Sequence, residues 1–526
     1  MITADPQQRV TTLAEVQQLL ASACDPDDRE LIQSFAPVVY AAMPDSIGLR
    51  LPPPALAARI RAYFRFVART MPPAFQLYKG LPGIHVVVRN PDEAEEIACG
   101  GADGGAHEAT IVETHTPDAP FIFESLKNFF QKEGLRVFSS VHPIFTVRRQ
   151  WERIVEIGGP TEDGSRELFC QFRIERIEAR ERLRRIEHQV FSVLKTVFLA
   201  VEDFPDMVRA ARDISPRLRS RRGTPGEAES AKAFLDWLLD DNYVLLGMLR
   251  YVPGPDGLPH VDDNSALGAF TDPSLLPVVF PGLMEQEQAH IKPSDTDERI
   301  IDVDYSISAE AIHHLEPIDD LVIREWAPDG SLVSATLLLG RLAKGALAAK
   351  PQDVPLLREK LAWLLERLGG ASNSHAFRET RALFNHFPRR ELLYADAASL
   401  KDIIDKMLHV SGDDEIVVAL RQGNGYHAVS IAFSDLRHSH KAEEDLKLAL
   451  SEEFGPISFK TWADCGVLGL LVFYFDDATL EHEIDVNAVR EITRRTITTW
   501  EDLSAVSLEE RFGAIEGRRE EQNQLV

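Results

Sequence analysis

The sequence has little cysteine, and it lacks the spacings in which cysteine usually does chemistry. Its 526 residues contain four cysteines, Cys24, Cys99, Cys170 and Cys465, and no two of them form a CxxC pair. This scatter excludes a disulfide framework and a cysteine-based zinc site. It predicts a protein of a reducing, cytoplasmic compartment.

Long apolar runs and an excess of positive charge are also missing. No segment approaches the roughly 20 apolar residues needed to cross a bilayer. The first residues, MITADPQQRV, have neither the basic start nor the apolar stretch of a signal peptide. The 83 acidic residues outnumber the 57 basic ones, which gives a net charge of −26. This acidity argues against nucleic acid or an anionic membrane as a partner.

The motifs of common catalytic sites are absent from the sequence. It contains no GxGxxG after a predicted strand, no Walker loop, no HExxH and no GxSxG. The glycine-rich segment 100–105 precedes a strand, which is the wrong context for a phosphate-binding loop. Two histidine pairs, His313 with His314 and His438 with His440, have no third ligand at metal-like spacing. We therefore expect no catalytic residue and no metal site in this chain.

The clearest local pattern lies in residues 109–149, which read as strand, elbow, helix and strand. Ala109–His115 is short and β-prone, so it predicts the first strand. Asp118 then stands where a helix N-cap is expected, with Pro120 in the first helical turn. This spacing predicts that a helix begins at residue 119.

Apolar residues at spacings of four, three and one give the predicted helix 119–133 a single apolar stripe: Ile122, Leu126, Phe129 and Phe130. Gly134 is a natural residue to end that helix. The chain is then predicted to continue as one long β segment, Leu135–Arg149.

The elbow of this unit is the candidate binding site. Backbone N–H groups exposed at a helix start, directly after a strand, suit a small anionic group such as an amino-acid carboxylate. The predicted site consists of Thr116, Asp118, Ala119 and Phe121, with Asp118 as helix cap or as the contact of the ligand ammonium. The alternative is that the segment is an ordinary strand–helix packing unit without a ligand.

The remaining pattern predicts an α+β protein built from similar units in series. An N-terminal helical cap (1–75) is followed by a β-β-α-β-β-α unit (76–215), and the same order returns in 398–513. The middle unit, 224–397, contains a long acidic insertion at 252–300, and 514–526 is a polar tail.

Two features of the third unit give sharper expectations. Asn424 and Gly425 separate two β-prone runs, which is a strong hairpin signal. Val467–Phe475 is apolar on both faces, as expected for a buried or paired strand. Because sheets of this kind end in unpaired edge strands, we also expect a homo-oligomer.

Several segments, taken in order, resemble the N-terminal regulatory region of the large bacterial NAD-dependent glutamate dehydrogenases. The resemblance extends from about residue 30 to residue 513, and these segments carry it: HTPDAPFIFESLKNFFQKEGLRVFSSVHPIFTVRR, ELFCQFRIE, VEDFPDMV, FLDWLLDDNYVLLGMLRY, DVPLLREKLAWLLERLG, ALFNHFPRRELLY and TTWEDLSAVSLEERFG. It implies tandem ACT-like sandwiches, which are ferredoxin-like with a permuted β-β-α-β-β-α order.

The resemblance also implies a function. In that family the glutamate pocket and the NAD-binding fold belong to a catalytic half that follows the regulatory region, so no cofactor is expected in this chain. The expected role is a non-catalytic regulatory and assembly module of glutamate catabolism to 2-oxoglutarate. Its expected partners are an amino-acid effector and a catalytic subunit. The alternative is a truncated or split NAD-dependent glutamate dehydrogenase whose oxidative deamination of glutamate resides in a missing C-terminal half.

Overall fold

Three antiparallel sheets follow one another along the chain, each packed against helices. The structure is a computed structural model that describes these residues: 6–68, 83–91, 109–150, 153–159, 164–223, 226–255, 258–280, 283, 291, 299–306, 318–372, 374–410, 412 and 415–497. Helices and antiparallel sheets together confirm the predicted α+β class. The predictions for Cys99, the segment 100–105, His313, His314 and the tail 514–526 lie outside the described residues.

The chain begins with helices that cover one face of the first sheet. They are α1 (Pro6–Ala23), α2 (Arg29–Ala42), α3 (Asp45–Gly48) and α4 (Pro53–Ala68). Their apolar sides form one buried cluster with that sheet. In this cluster the Phe35 ring meets the Phe145 ring edge-on, with centroids 5.3 Å apart. The helices are therefore held to the sheet by apolar burial.

The first sheet has six strands in the order β1-β2-β6-β4-β5, with β3 also paired to β6. The strands are β1 (His85–Arg89), β2 (Ala109–Pro117), β3 (Val137–Val141), β4 (Ile144–Gln150), β5 (Arg153–Gly158) and β6 (Ser165–Glu175). Helices α5 (Ile122–Lys132) and α6 (Arg180–Ile214) pack on the face opposite the N-terminal helices.

The prediction of one long strand over Leu135–Arg149 is wrong. The segment forms two strands, β3 and β4, which pair with successive parts of β6. His142 and Pro143 separate them. Because proline has no backbone N–H to donate to a ladder, it interrupts a central strand.

The second sheet shares its core with the first. It has the order β10-β11-β12-β7-β8, with β9 also paired to β7. Its elements are α7 (Glu227–Trp237), β7 (Tyr243–Pro253), β8 (Pro259–Val261), β9 (Leu267–Gly268), α8 (Leu276–Val279), β10 (Ile301–Ser306), β11 (Ile318–Trp326) and β12 (Leu332–Leu342). Phe270 and Leu276 lie in the acidic insertion, and both are buried in the apolar cluster that also contains Leu199 of α6.

A helical segment joins the second sheet to the third. It contains α9 (Lys344–Ala348), α10 (Pro355–Leu368), α11 (His375–His386), α12 (Arg389–Tyr394) and α13 (Ala397–Leu408). Buried side chains of these helices belong to one cluster with residues of both sheets. The segment therefore packs against the two sheets at once.

The third sheet has the order β13-β14-β16-β15. Its unit contains β13 (Val417–Gln422), β14 (Tyr426–Ser434), α14 (His440–Phe454), β15 (Ile457–Asp464), β16 (Leu468–Asp476) and α15 (Val486–Ile497), in the predicted β-β-α-β-β-α order. The predicted hairpin is present, and Gly425 has φ 78, a left-handed conformation that favours glycine.

The apolar segment Val467–Phe475 lies at the centre of the third sheet. Strand β16 pairs with β14 on one side and with β15 on the other. Its two faces pack into different apolar clusters, which explains its apolar character. Because both of its edges are paired, it offers no free edge to a second copy of the chain. The edge strands of this sheet are β13 and β15.

Candidate functional site

The predicted elbow lies between β2 and α5, at the end of the first sheet. Strand β2 ends at Pro117, and the first helical residue is Ile122. The helix therefore begins three residues later than predicted. Phe121 precedes it in a left-handed conformation, with φ 74, and no side chain caps the helix. The predicted stop at Gly134 is observed, with φ 67.

Asp118 is not the helix cap that the sequence predicted. Its backbone N–H donates to the Arg166 carbonyl at 2.9 Å, and its carboxylate lies 2.8 Å from the Arg166 guanidinium. Because β2 and β6 are paired up to Pro117 and Glu167, the next residue of one strand faces the preceding residue of the other. Asp118 thus extends the sheet pairing, and its charge is matched by an arginine.

Two other predicted site residues, Thr116 and Ala119, have buried or partly buried side chains. Thr116 is fully buried, and its hydroxyl oxygen has no hydrogen-bond partner. Ala119 is partly buried against the core shared by the first two sheets. Neither side chain lines the cavity described next, so only Phe121 of the predicted site residues reaches it.

A cavity of about 280 Å³ lies where the elbow meets helix α6 and the second sheet. The elbow supplies one wall through Pro120 and Phe121. The other walls come from α6 and from the start of β7: Val197, Ala200, Val201, Phe204, Asp241, Tyr243, Val244, Leu245 and Leu246. The cavity therefore joins the elbow to a segment more than 100 residues later in the sequence.

Two residues with a left-handed backbone line this cavity. Among the described residues only Phe121 (φ 74) and Asp241 (φ 58) combine a side chain with a left-handed backbone. Such a conformation is unusual for a bulky residue. At Phe121 this strain costs about 1–3 kcal/mol, and such strain is found mostly at ligand sites and switches. Aspartate adopts the conformation more readily. The presence of both left-handed residues around one cavity marks this place as the best candidate site.

The cavity can bind a small molecule but offers little for catalysis. Its lining includes one charged residue, Asp241, which is exposed at the rim. It contains no histidine, cysteine, lysine, arginine or serine. The start of α5, which has no side-chain cap, follows Phe121 directly. Nothing in the sequence around Asp241 indicates that it lines the same cavity as the elbow.

A histidine–carboxylate–arginine cluster lies on the other face of the first sheet. Glu167 accepts from Arg149 at 2.9 Å and lies 2.7 Å from His115 Nε2. Burial raises the pKa of Glu167, but the hydrogen bonds with His115 and Arg149 outweigh it and hold that pKa at about 2. Since the His115 side chain is completely inaccessible, this cluster stabilises the fold and is not an active site.

No group of three or more histidine, cysteine, aspartate or glutamate side chains is arranged to hold a metal ion in the part of the chain that the structure describes. Within the same residues, no helix has the length and apolarity needed to cross a membrane.

The elbow falls within a segment that matches a known family model. Residues 35–190 match the model described as "Glutamate dehydrogenase, ACT1 domain". Residues 354–413, the helical segment between the second and third sheets, match "Glutamate dehydrogenase, helical motif 1". The first match contains the predicted site, and the second contains helices α10 to α13.

Two curated relatives carry the name NAD-specific glutamate dehydrogenase. The protein of Halomonas elongata is 24% identical over 520 residues, which cover 95% of this chain and 31% of the relative. That of Pseudomonas aeruginosa is 24% identical over 462 residues, 82% of this chain and 27% of the relative. The chain thus spans less than a third of the length of these relatives. The matches support the resemblance to this family.

Proposed function

We propose that this chain is a regulatory and assembly module of the NAD-specific glutamate dehydrogenase type, without catalytic activity of its own. The family-model matches and the two relatives support this assignment. In this proposal the module binds an amino acid at the cavity beside Phe121 and works with a catalytic partner. The single observation that carries the ligand proposal is the cavity itself, which joins the elbow to the second sheet.

The proposed architecture is a series of ACT-like units. The third sheet with its helices has the β-β-α-β-β-α order in full. The first sheet has six strands instead of the predicted four, and it lies in the segment that matches the ACT1 model. The proposed boundaries are 1–75, 76–215, 224–397 and 398–513, with a tail at 514–526. Limited proteolysis of the whole chain, followed by mass spectrometry of the fragments, tests these boundaries.

Amino-acid binding can be tested by thermal shift and titration calorimetry on the purified chain. At a ligand concentration of 100 Kd, binding to the folded state alone stabilises a protein by about 2.7 kcal/mol. We expect at least one of the twenty amino acids to raise the melting temperature and to release or absorb heat. If none does so at millimolar concentration with a cooperatively folding chain, the proposal of an amino-acid effector is wrong.

The absence of catalytic activity is tested separately. We expect the purified chain to produce no NADH from glutamate and NAD, and NAD to cause no thermal shift. NADH formation by this chain would instead identify a working enzyme. The alternative proposal is a truncated or split glutamate dehydrogenase, whose oxidative deamination of glutamate belongs to a C-terminal half. Co-expression with the catalytic region of a relative, followed by affinity capture, tests whether the two parts assemble.

A homo-oligomer is part of the same proposal. Strands β13 and β15 end the third sheet, and an unpaired strand edge favours pairing with another chain. Sedimentation velocity at high micromolar concentration is the test. A purely monomeric chain would contradict this part of the proposal.

A further inference from the structure

We propose that the amino acid bound beside Phe121 has a large apolar side chain, and that Asp241 binds its ammonium group. This inference rests on the proposed amino-acid effector and specifies its chemical class. It also replaces the earlier assignment of the ammonium contact to Asp118.

The walls of the cavity carry the argument for an apolar side chain. Apart from Asp241 and Tyr243, every lining residue is apolar: Pro120, Phe121, Val197, Ala200, Val201, Phe204, Val244, Leu245 and Leu246. The Tyr243 hydroxyl donates to the Asp319 carbonyl at 2.6 Å and also lies 3.2 Å from the Leu338 carbonyl. A charged ligand side chain would therefore lose its hydration without gaining a partner, which is strongly unfavourable.

The size of the cavity agrees with a single amino acid. Pockets for drug-sized ligands and cofactors measure about 300–1,000 Å³. At about 280 Å³, this cavity lies just below that range and is too small for a dinucleotide. Leucine, isoleucine, methionine and phenylalanine can fill such a space with apolar surface, whereas glycine would leave most of it empty.

Asp241 is better placed than Asp118 to meet an ammonium group. Asp118 is held by Arg166, and its carboxylate does not line the cavity. Asp241 lines the cavity, is exposed, and forms no hydrogen bond or ion pair with another described residue. Its carboxylate can approach a bound ammonium without breaking an existing contact. The start of α5, which follows Phe121 and has no side-chain cap, is a source of free backbone N–H groups for the ligand carboxylate.

The first experiment compares ligands on the whole chain. Titration calorimetry with leucine, phenylalanine, glycine, aspartate and glutamate gives the order of affinities. We expect leucine or phenylalanine to bind at least tenfold more tightly than glycine. Glutamate and aspartate should bind more weakly than leucine and phenylalanine. Tighter binding of glutamate or aspartate would overturn the apolar class, while amino-acid binding itself would stand. If no amino acid binds, the proposed effector fails, and this inference fails with it.

The second experiment tests Asp241 with a matched control. Asp241→Asn removes the charge and keeps a residue that tolerates the left-handed backbone, so the fold should persist. We expect it to weaken binding of the preferred amino acid about tenfold or more, or about 1.4 kcal/mol. Asp240→Asn removes a charge from the same turn but lies outside the cavity lining. It should change the affinity less than twofold. Equal affinity in wild type and Asp241→Asn would overturn the role of Asp241.

A third variant tests the cavity independently of charge. Val201→Phe places a larger side chain on the wall formed by α6. We expect it to weaken leucine binding at least tenfold while the affinity for glycine changes little. If leucine binds Val201→Phe as tightly as wild type, with the melting temperature unchanged, the ligand lies elsewhere.

Discussion

Arg421 and Glu391 form a two-pronged ion pair between the helical segment and the third sheet. Arg421 Nε donates to Glu391 Oε1 and Arg421 Nη2 to Glu391 Oε2, both at 2.9 Å. Both side chains are less than a tenth exposed. Tyr474 adds a hydrogen bond from its hydroxyl to the same carboxylate at 2.7 Å. Helix α12 is thus bonded to β13 and β16 through one buried carboxylate.

The preceding residue of α12 faces the second sheet. Arg390 Nε donates to the Asp319 carboxylate at 3.1 Å, and both side chains are almost fully buried. Asp319 lies on β11, and its other oxygen accepts from the Leu342 backbone N–H at 2.8 Å. Two consecutive residues therefore connect one short helix to two sheets. We infer that this segment fixes the position of the third sheet relative to the second.

The first prediction concerns the buried pair. Glu391→Ala leaves the Arg421 charge buried without its carboxylate, and loss of one partner of a buried pair costs about 3–5 kcal/mol. We expect a decrease of that size in the free energy of unfolding, measured by urea denaturation.

Two further variants test whether this loss of stability comes from the unpaired buried charge. The double substitution Glu391→Met with Arg421→Met removes both charges and should recover most of the loss. Asp402→Asn breaks an exposed helical pair with Lys406 and should change stability by less than about 0.5 kcal/mol. A loss below about 1 kcal/mol in Glu391→Ala would mean that the pair is not buried in solution.

The second prediction concerns the buried ammonium group of Lys360. It donates to three carbonyls at the end of α12, at distances of 2.7–2.8 Å: Leu392, Leu393 and Ala395. Burial, together with the nearby charges of Arg299 and Arg421, lowers the pKa of Lys360 from 10.5 to about 7. The unfolded chain therefore binds more protons than the folded one between pH 7 and pH 10.5, and stability due to this group rises with pH in that window.

The Lys360→Met variant isolates this dependence. The difference in unfolding free energy between wild type and Lys360→Met should shift in favour of wild type by roughly 2–3 kcal/mol from pH 7 to pH 9. The matched variant Lys406→Met alters an exposed lysine, so its difference from wild type should stay constant over that range. A constant difference for Lys360→Met as well would show that its ammonium keeps an ordinary pKa.

The sequence predicted local structure well where short-range chemistry decides it. Gly134 ends α5 because glycine readily adopts φ 67, and Asn424 with Gly425 forms the tight hairpin of the third sheet. Pro143 also indicated that the segment 135–149 divides into two strands, but the prediction did not use it. These features depend on the backbone preferences of one or two residues.

The site could be predicted only in part because it depends on long-range contacts. Asp118 is of a residue type that commonly caps helices, but strand pairing brings it to Arg166, 48 residues away in the chain. Phe121 and Asp241 line the same cavity, and no periodicity or motif connects the two positions. The pairing of Glu391 with Arg421 similarly requires the fold to be known.

The third prediction concerns the acid stability that comes from Glu167. Its folded pKa of about 2 lies below the ordinary value of 4.5 because the hydrogen bonds from His115 and Arg149 outweigh its burial. The stabilisation is therefore complete above pH 4.5 and is lost as the pH falls towards 2. Between pH 7 and pH 3, the advantage of wild type over Glu167→Gln should shrink by about 2 kcal/mol.

An exposed pair on the neighbouring hairpin provides the control for Glu167. Arg148 and Glu156 lie 2.9 Å apart, and both side chains are more than half exposed. Glu156→Gln should differ from wild type by a nearly constant amount from pH 7 to pH 3. Chemical denaturation at four pH values measures both series. The same pH profile in Glu167→Gln and Glu156→Gln would contradict the low pKa of Glu167.

The last prediction concerns the strained backbone of Phe121. Phe121→Ala and Phe121→Gly both remove the ring from the cavity wall, so they lose the same packing. At φ 74 an alanine retains the steric penalty of about 1–2 kcal/mol for a left-handed conformation, whereas glycine does not. This advantage exceeds the entropic cost of glycine in the unfolded chain. We therefore expect Phe121→Gly to be more stable than Phe121→Ala by about 1 kcal/mol in urea denaturation.

A second pair of variants tests whether this order of stability is specific to the elbow. Lys127 is exposed in the interior of α5, where glycine is less favourable than alanine by about 1 kcal/mol. Lys127→Gly should therefore be less stable than Lys127→Ala, the reverse of the order at Phe121. If alanine is the better replacement at both positions, the left-handed conformation at the elbow is absent in solution. The cavity wall would then have a different shape, because the direction of the chain into α5 depends on that one residue.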